Sequence, residues 1–313
     1  DQWFCYVDPF DVHEPFHCPE PYASMYTDED PRDPDLPLWP YYGRVDEGQS
    51  ALTDRELEFV RSQFAGSVTM VDEWFGRVLD ALDETGAWDE TMVVVTSDHG
   101  FMLGEHGWVA KNHGPVYDAI ANTPLLVWHP ESPRTGERIE ALTAAVDLNA
   151  TLLDALGTDH DGGPHSRSLG PLLAGETDEH RDLALYGHWG SAVNVTDGRY
   201  TYFHPCDPEE PTDCYATTML NPYGYFTPAE PKPDAEAGEF LPYADAPVWR
   251  FAADSYAQLD GPMLFDRETD PTQDRNLADE RPGETGRMRS LLERGLRERE
   301  APVRQFERLG LAE

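Results

Sequence analysis

A chain of 313 residues with 39% apolar side chains is long enough for one large domain, or a large and a small one, around a substantial core. Its 60 acidic residues stand against 23 basic ones, and the formal net charge of -37 repels nucleic acid and anionic membrane alike. No apolar run reaches the roughly 18 residues that span a membrane, and Cys5, Cys18, Cys206 and Cys214 form neither a disulfide scaffold nor a C-x-x-C or Cys/His zinc spacing.

Trp3 to Val7 reads as a buried strand with no methionine ahead of it, so the chain opens as if in mid-domain. A polar loop over 8–21 then carries His13 and His17. After a proline-rich linker at 31–40, Thr53-x-x-Glu56 forms a capping box. From it Leu57, Val60, Phe64, Val68, Val71, Phe75, Val78 and Leu82 recur at spacings of three and four, the stripe of a long helix that ends near Gly86. The β-branched run 92–96 predicts a strand buried on both faces. Strand, helix, strand is the grammar of a parallel sheet with crossover helices. Residues 124–128 predict another strand, and Asp147 caps a helix bearing Leu148, Leu152 and Leu156 that Gly157 stops. The α/β pattern fades around 169–175. Ten of the 27 prolines lie within 204–262, which predicts an extended, loop-rich insert. A short strand at 263–265 and an amphipathic helix over 284–299 close the chain, and no internal repeat is present.

Lysine is nearly absent: only Lys111 and Lys232 occur. An acidic excess with lysine depleted is the composition of a halophilic protein, whose carboxylate surface is screened by concentrated salt. A Cys206–Cys214 bridge is one open pairing. Because the chain opens as if in mid-domain, the lack of a leader sequence says little about export; a cytoplasmic location is the default expectation, and the oligomeric state is not legible.

In open α/β sheets ligands bind at the carboxyl ends of strands, where Asp98-His99-Gly100 stands. A carboxylate and a neutral imidazole suit a divalent cation, and the glycine lets the backbone turn under it. Alone, the tripeptide is equally a cap or a turn. Gly104-Glu105-His106-Gly107 and then Lys111 follow in a loop-like stretch, and a lysine retained there is a compact charge for a tetrahedral oxyanion. His106 reads as structural. His13 follows the first predicted strand as Asp98 follows a later one, so both are expected at one sheet edge, with His13 able to bind an anion or protonate a leaving group.

In order, "DPFDVHEPF", "TSDHG", "GEHG", "AVDLNATLLDALG", "VNVTDGRYTYF" and "LFDRETDPTQDRNLAD" resemble consecutive landmarks of the sulfatases, in the alkaline-phosphatase-like superfamily. The resemblance implies an α/β fold: a mixed, mainly parallel sheet flanked by helices over 1–178, shortened at its N-terminus. A smaller α+β subdomain over 179–313 holds the insert at about 204–262. It implies Asp98 and His99 as ligands of a divalent cation, calcium first with magnesium or manganese as alternatives. It also implies Lys111 and His13 as contacts of the sulfate, and a small-molecule or carbohydrate sulfate ester as substrate.

The family also has an early Asp-Asp pair completing the metal site and a C/S-x-P-x-R sequence whose first residue becomes the formylglycine nucleophile. Neither precedes His13. Cys18-Pro19-Glu20-Pro21-Tyr22 has its proline out of register, and Cys206-Asp207-Pro208-Glu209-Glu210 lacks the arginine. The polypeptide is therefore expected to be the C-terminal portion of a sulfatase, catalytically incompetent alone. Two rivals remain: a phosphate or phosphonate monoester hydrolase of the same superfamily, and a non-catalytic remnant with its core partly uncovered.

Overall fold

The computed structural model describes residues 3–159, 162–188, 190–217, 232–253 and 259–311. The chain divides into two compact units, Asp1–His113 with Ala119–Thr135 and Gly114–Asp118 with Gly136–Glu313.

The first unit is built on helix α1 (Asp54–Thr85). The capping box forms as expected: the Thr53 hydroxyl accepts from the Glu56 amide and the Glu56 carboxylate accepts from the Thr53 amide at 2.7 Å. Gly86 ends the helix in left-handed backbone at φ 67°. The N-terminal half of α1 buries Phe59, Val60 and Gln63. At Gly66 a Cβ would lie 2.5 Å from the Tyr22 carbonyl oxygen, so the turn at 18–24 sits directly on the helix backbone. Gln63 donates from Nε2 to the Ala23 carbonyl at 2.8 Å and holds that turn in place. Phe16 is fully buried with Val60 and Leu103, against Phe64 and Phe101. A loop that reads as polar is thus pinned by one of its two phenylalanines, Phe10 being exposed. Farther along α1, Val68 and Val78 of the predicted stripe are exposed, as is Trp74.

The strands of this unit are β1 (Gly43–Arg44), β2 (Val93–Thr96), β3 (Met102–Leu103), β4 (Trp108–Ala110) and β5 (Leu125–Trp128), with all but the first residue of one helical turn, α2 (Asp118–Ala121). They make a three-stranded sheet in the order β1-β4-β3 and a two-stranded ladder of β2 with β5. Two expectations are corrected. Residues 3–7 form no strand, and Trp3, Phe4, Tyr6 and Val7 are exposed. Among the described residues every ladder is antiparallel, and β2 is partly buried rather than covered on both faces. The reason is topological. A parallel pairing with β2 needs a strand ahead of the crossover helix, and the described strand before α1 is the two-residue β1, which pairs with β4.

The second unit holds α3 (Asp147–Ala155), α4 (Gly170–Leu173) and strands β6 (Ala184–Tyr186), β7 (Val193–Thr196) and β8 (Tyr200–His204). Its remaining elements are β9 (Asp213–Ala216), β10 (Glu236–Gly238), β11 (Val248–Ala252), β12 (Met263–Asp266), α5 (Pro282–Glu298) and α6 (Val303–Arg308). A four-stranded antiparallel sheet, β12-β8-β7-β6, packs through Leu183, Val195, Tyr202 and Leu264 against Met288, Leu292 and Leu296 of α5. The insert at 204–262 is not simply extended: β10-β11-β9 form a three-stranded antiparallel sheet inside it. Pro211 and Pro247 stand just outside β9 and β11, where a missing amide costs no ladder bond. Residues 218–231 and 254–258 of that insert lie outside the described residues.

Asp147 does not cap α3. Its carboxylate is fully buried and accepts from the Ala144 and Arg167 amides, from His180 and from both arms of Arg181. Burial pushes this carboxyl up, but the Arg181 guanidinium and the two amides outweigh it and hold it below the usual range. Cys206 and Cys214 are buried and form no disulfide, so their pairing is not made. Among the described residues no helix is long and apolar enough to cross a membrane.

Candidate functional site

The four candidate site residues, His13, Asp98, His99 and Lys111, lie in the first unit. The segment Gly104 to Gly107 turns the chain between β3 and β4, with positive φ at Gly104, His106 and Gly107. The Glu105 carboxylate accepts from the Leu103 amide across the turn. The hairpin therefore explains the Gly-Glu-His-Gly spelling and delivers Lys111 just past the end of β4.

His13 comes to the same place from the loop that Phe16 anchors. Lys111 Nζ lies 2.5 Å from His13 Nε2, linking residues 98 apart in sequence. His13 Nδ1 lies 2.6 Å from the Glu14 carbonyl oxygen. If that ring nitrogen donates to the carbonyl, Nε2 is the acceptor of the Lys111 ammonium, an assignment from partners. Phe10 lies against the imidazole, ring centroids 4.6 Å apart.

Sequence reading missed two members of this cluster. The Glu14 side chain is 3% exposed, and its Oε1 lies 3.0 Å from Lys111 Nζ. The Tyr42 hydroxyl donates to the same oxygen. The register explains Tyr42: Gly43 pairs with Val109 across β1 and β4, so the residue before Gly43 runs beside the end of β4 that leads into Lys111. Tyr42 also packs edge-on against His113 and Phe101. Half-burial pushes the His113 imidazole below its ordinary value, towards the neutral form.

Asp98 and His99 stand at the end of β2 and pair with each other rather than with Lys111 and His13. Asp98 Oδ2 lies 3.3 Å from His99 Nε2, with the side chains 84% and 40% exposed. The Asp98 carboxylate also accepts from the His99 amide at 2.9 Å, and His99 Nδ1 lies 2.9 Å from the Gly100 carbonyl oxygen. A second nitrogen held on a carbonyl leaves Nε2 as the ligand atom, the usual setting of a metal-binding imidazole. An oxygen and a nitrogen at this separation fit two neighbouring positions on one cation. They are not a whole site, since calcium takes about six to eight oxygens. Among the described residues no group of three or more His, Cys, Asp or Glu is placed to hold a metal. Gly100 has a different role from the sharp turn expected of it. Its φ is not positive; instead a Cβ would fall 2.0 Å from the Ala119 carbonyl oxygen, and its amide donates to the Ile120 carbonyl. Space, not conformation, requires glycine here. The next residue, Phe101, packs on Phe16 and Tyr42, which ties the end of β2 to the Lys111 cluster.

The sulfatase family model matches residues 1–158, just over half of the 313. The chain belongs to the sulfatase family. Over 197 residues the chain is 32% identical to the multifunctional alkaline phosphatase superfamily protein PehA of Trinickia caryophylli, covering 55% of this chain and 37% of that one. Over 144 residues it is 33% identical to an N-acetylglucosamine-6-O-sulfatase of Bacteroides thetaiotaomicron, covering 45% of this chain and 25% of that one. A solved phosphonate monoester hydrolase of Silicibacter pomeroyi superposes with a TM-score of 0.59 at 26% identity, covering 92% of this chain and 54% of that one. The fold is thus the alkaline-phosphatase-like α/β fold of the family, and the matched region spans well under half the length of the two curated relatives. Sulfatases as a family use a divalent cation.

Proposed function

We propose that this sulfatase holds the tetrahedral anion of a sulfuric ester between Lys111 and His13 while the ester is hydrolysed. The observation that carries the reading is the meeting of Lys111 Nζ and His13 Nε2 at 2.5 Å from two separate segments. The Lys111 ammonium offers N–H donors to sulfate oxygens in a partly enclosed place, where charge on those oxygens is best stabilised, and His13 Nε2 adds one once the ring is protonated. Lys111 is 13% exposed, so little water competes for it. His13, once protonated on both nitrogens, keeps Nδ1–H on the Glu14 carbonyl and presents Nε2–H to the departing alkoxide.

Asp98 and His99 would hold a divalent cation through Oδ2 and Nε2, calcium first and magnesium or manganese as alternatives. Bound there it supplies positive charge to the sulfate oxygens. No C/S-x-P-x-R sequence stands in this chain, so its residues take the anion-holding part of the reaction and not the attack at sulfur. The substrate in this reading is a carbohydrate sulfate, by likeness to the N-acetylglucosamine-6-O-sulfatase. The division into a catalytic part at 1–178 and a C-terminal subdomain at 179–313, a halophilic cytoplasmic setting and freedom from nucleic acid and membrane belong to the same proposal. The net charge of -37 and four cysteines outside any disulfide support it.

A second reading, hydrolysis of a phosphonate or phosphate monoester, is favoured by the superposition on the phosphonate hydrolase. A substrate panel separates them: N-acetylglucosamine 6-sulfate, p-nitrophenyl sulfate, p-nitrophenyl phosphate and p-nitrophenyl phenylphosphonate, offered to the protein as its source makes it. Preference for the sulfates, lost in Lys111→Ala, is the expected result. Preference for the phosphonate transfers the site to the second reading.

A further inference from the structure

The carboxylate of Glu14 is the least exposed charge in the cluster, and neither the family landmarks nor the reaction described above gives it a task. It is held on three sides. Phe16, two residues on, locks the backbone under α1, and the Phe16 amide donates to the Leu38 carbonyl at 2.9 Å. Tyr42 donates its hydroxyl to Oε1, and Lys111 Nζ approaches the same oxygen at 3.0 Å. Oε2 faces His13 Nδ1 at 3.6 Å. A lysine has three rotatable donors on a flexible stem, and nothing in its own chemistry fixes the ammonium at one point. Here two partners fix it: Glu14 on one side and His13 Nε2 on the other.

We infer that Glu14 is the positioning residue of the anion site: its buried carboxylate, itself set by Tyr42, holds the Lys111 ammonium beside His13 Nε2 so that both face one sulfate oxygen array. The inference rests on the anion-site reading of Lys111 and His13. Glu14 acts through Lys111 and does not touch the sulfate. Its effect depends on where its oxygen lies more than on its charge, because a second anion so close to a sulfate site opposes the ligand as well as ordering the lysine.

The two contributions come apart in a set of four variants titrated with inorganic sulfate at constant ionic strength, with melting recorded in parallel. Glu14→Gln keeps the oxygen that Tyr42 and Lys111 share but not the charge. Glu14→Asp keeps the charge but withdraws it by one methylene. Glu14→Ala removes both, and Lys111→Ala removes the anion contact itself. Positioning predicts that Gln stays within about threefold of the native affinity while Asp and Ala weaken it by about tenfold or more. Rescue by Gln but not by Asp is a pattern that a merely structural role of Glu14 does not produce. If Gln and Ala both bind sulfate more tightly than the native chain, Glu14 is a competitor of the ligand and the inference is overturned. It is equally overturned if all three Glu14 variants bind as the native chain does while Lys111→Ala loses sulfate, an outcome that leaves the anion site standing. Sulfate binding that is absent from the native chain, or unaffected by Lys111→Ala, removes the site and the positioning role together.

Discussion

Replacing Phe16 by alanine tests whether one buried ring delivers His13 and Glu14 to the site. The side chain is 0% exposed and meets Phe64 and Phe101 edge-on, with ring centroids 5.5 Å and 5.3 Å away. Truncating a buried phenylalanine costs about 3–5 kcal/mol. The substitution also removes both edge-to-face ring pairs, each worth about 0.5–1.5 kcal/mol beyond area burial, which places it at about 4 kcal/mol within that range. Phe16→Leu keeps most of the volume and gives up the aromatic pairing, for about 1–1.5 kcal/mol. Urea unfolding followed by tryptophan fluorescence reports on the right part of the chain, because Trp3, Trp39, Trp74, Trp88, Trp108 and Trp128 all fall in the first unit. The same variants should lose sulfate affinity in parallel with stability, since the loop frees His13 as it loosens. A cost for Phe16→Ala below about 1 kcal/mol, no more than an ordinary substitution, would refute the claim that this ring anchors the loop.

Calcium should raise the melting temperature of the chain in calorimetry, by an amount equivalent to about 2.7 kcal/mol at a hundredfold excess over the dissociation constant. Asp98→Asn should abolish the rise; a native chain indifferent to calcium counts against Asp98 and His99 as a competent pair. Gly100→Ala should disorder the end of β2, since the added methyl meets the Ala119 carbonyl at 2.0 Å, and a variant with unchanged stability and calcium response would contradict that packing. Asp147 supplies a pH test in the second unit. Its carboxyl is held below the usual range, so its contribution is complete above the unfolded value of about 3.9 and is lost as pH falls through the lower folded value. Asp147→Asn should lower stability at pH 7 by about 3–5 kcal/mol, leaving Arg181 buried without its partner, and should flatten the acid limb of the pH profile. A profile unchanged below pH 4 would show that another group sets it.

How far the sequence foretold this structure depends on whether the signal was local. Helix α1 was legible from end to end because its stripe, capping box and glycine stop are all written within one segment. Strands β2 and β5 were legible as apolar runs, but not their partners: pairing direction is a property of the whole topology, and the run at 3–7 has the composition of a strand without a ladder to join. The insert was misread because prolines between strands and prolines within a loop look alike until the register of β9, β10 and β11 is known. In the site, His13, Lys111, Asp98 and His99 were found as single letters in family landmarks. Glu14 and Tyr42 were not, since a carboxylate beside a loop histidine carries no mark of burial and Tyr42 reaches it only through the pairing of β1 with β4. Gly100 was singled out for the wrong reason: its neighbour Ala119 comes from a distant turn that no local pattern reveals.

The most direct test of the anion site is a crystal structure of the protein with calcium and sulfate, phased to locate calcium and sulfur by their anomalous signal. The expected result is sulfate oxygen within hydrogen-bond reach of both Lys111 Nζ and His13 Nε2, with calcium on Asp98 Oδ2 and His99 Nε2. Sulfate confined to surface arginines, with Lys111 still closed onto Glu14 and calcium bound elsewhere, would contradict it.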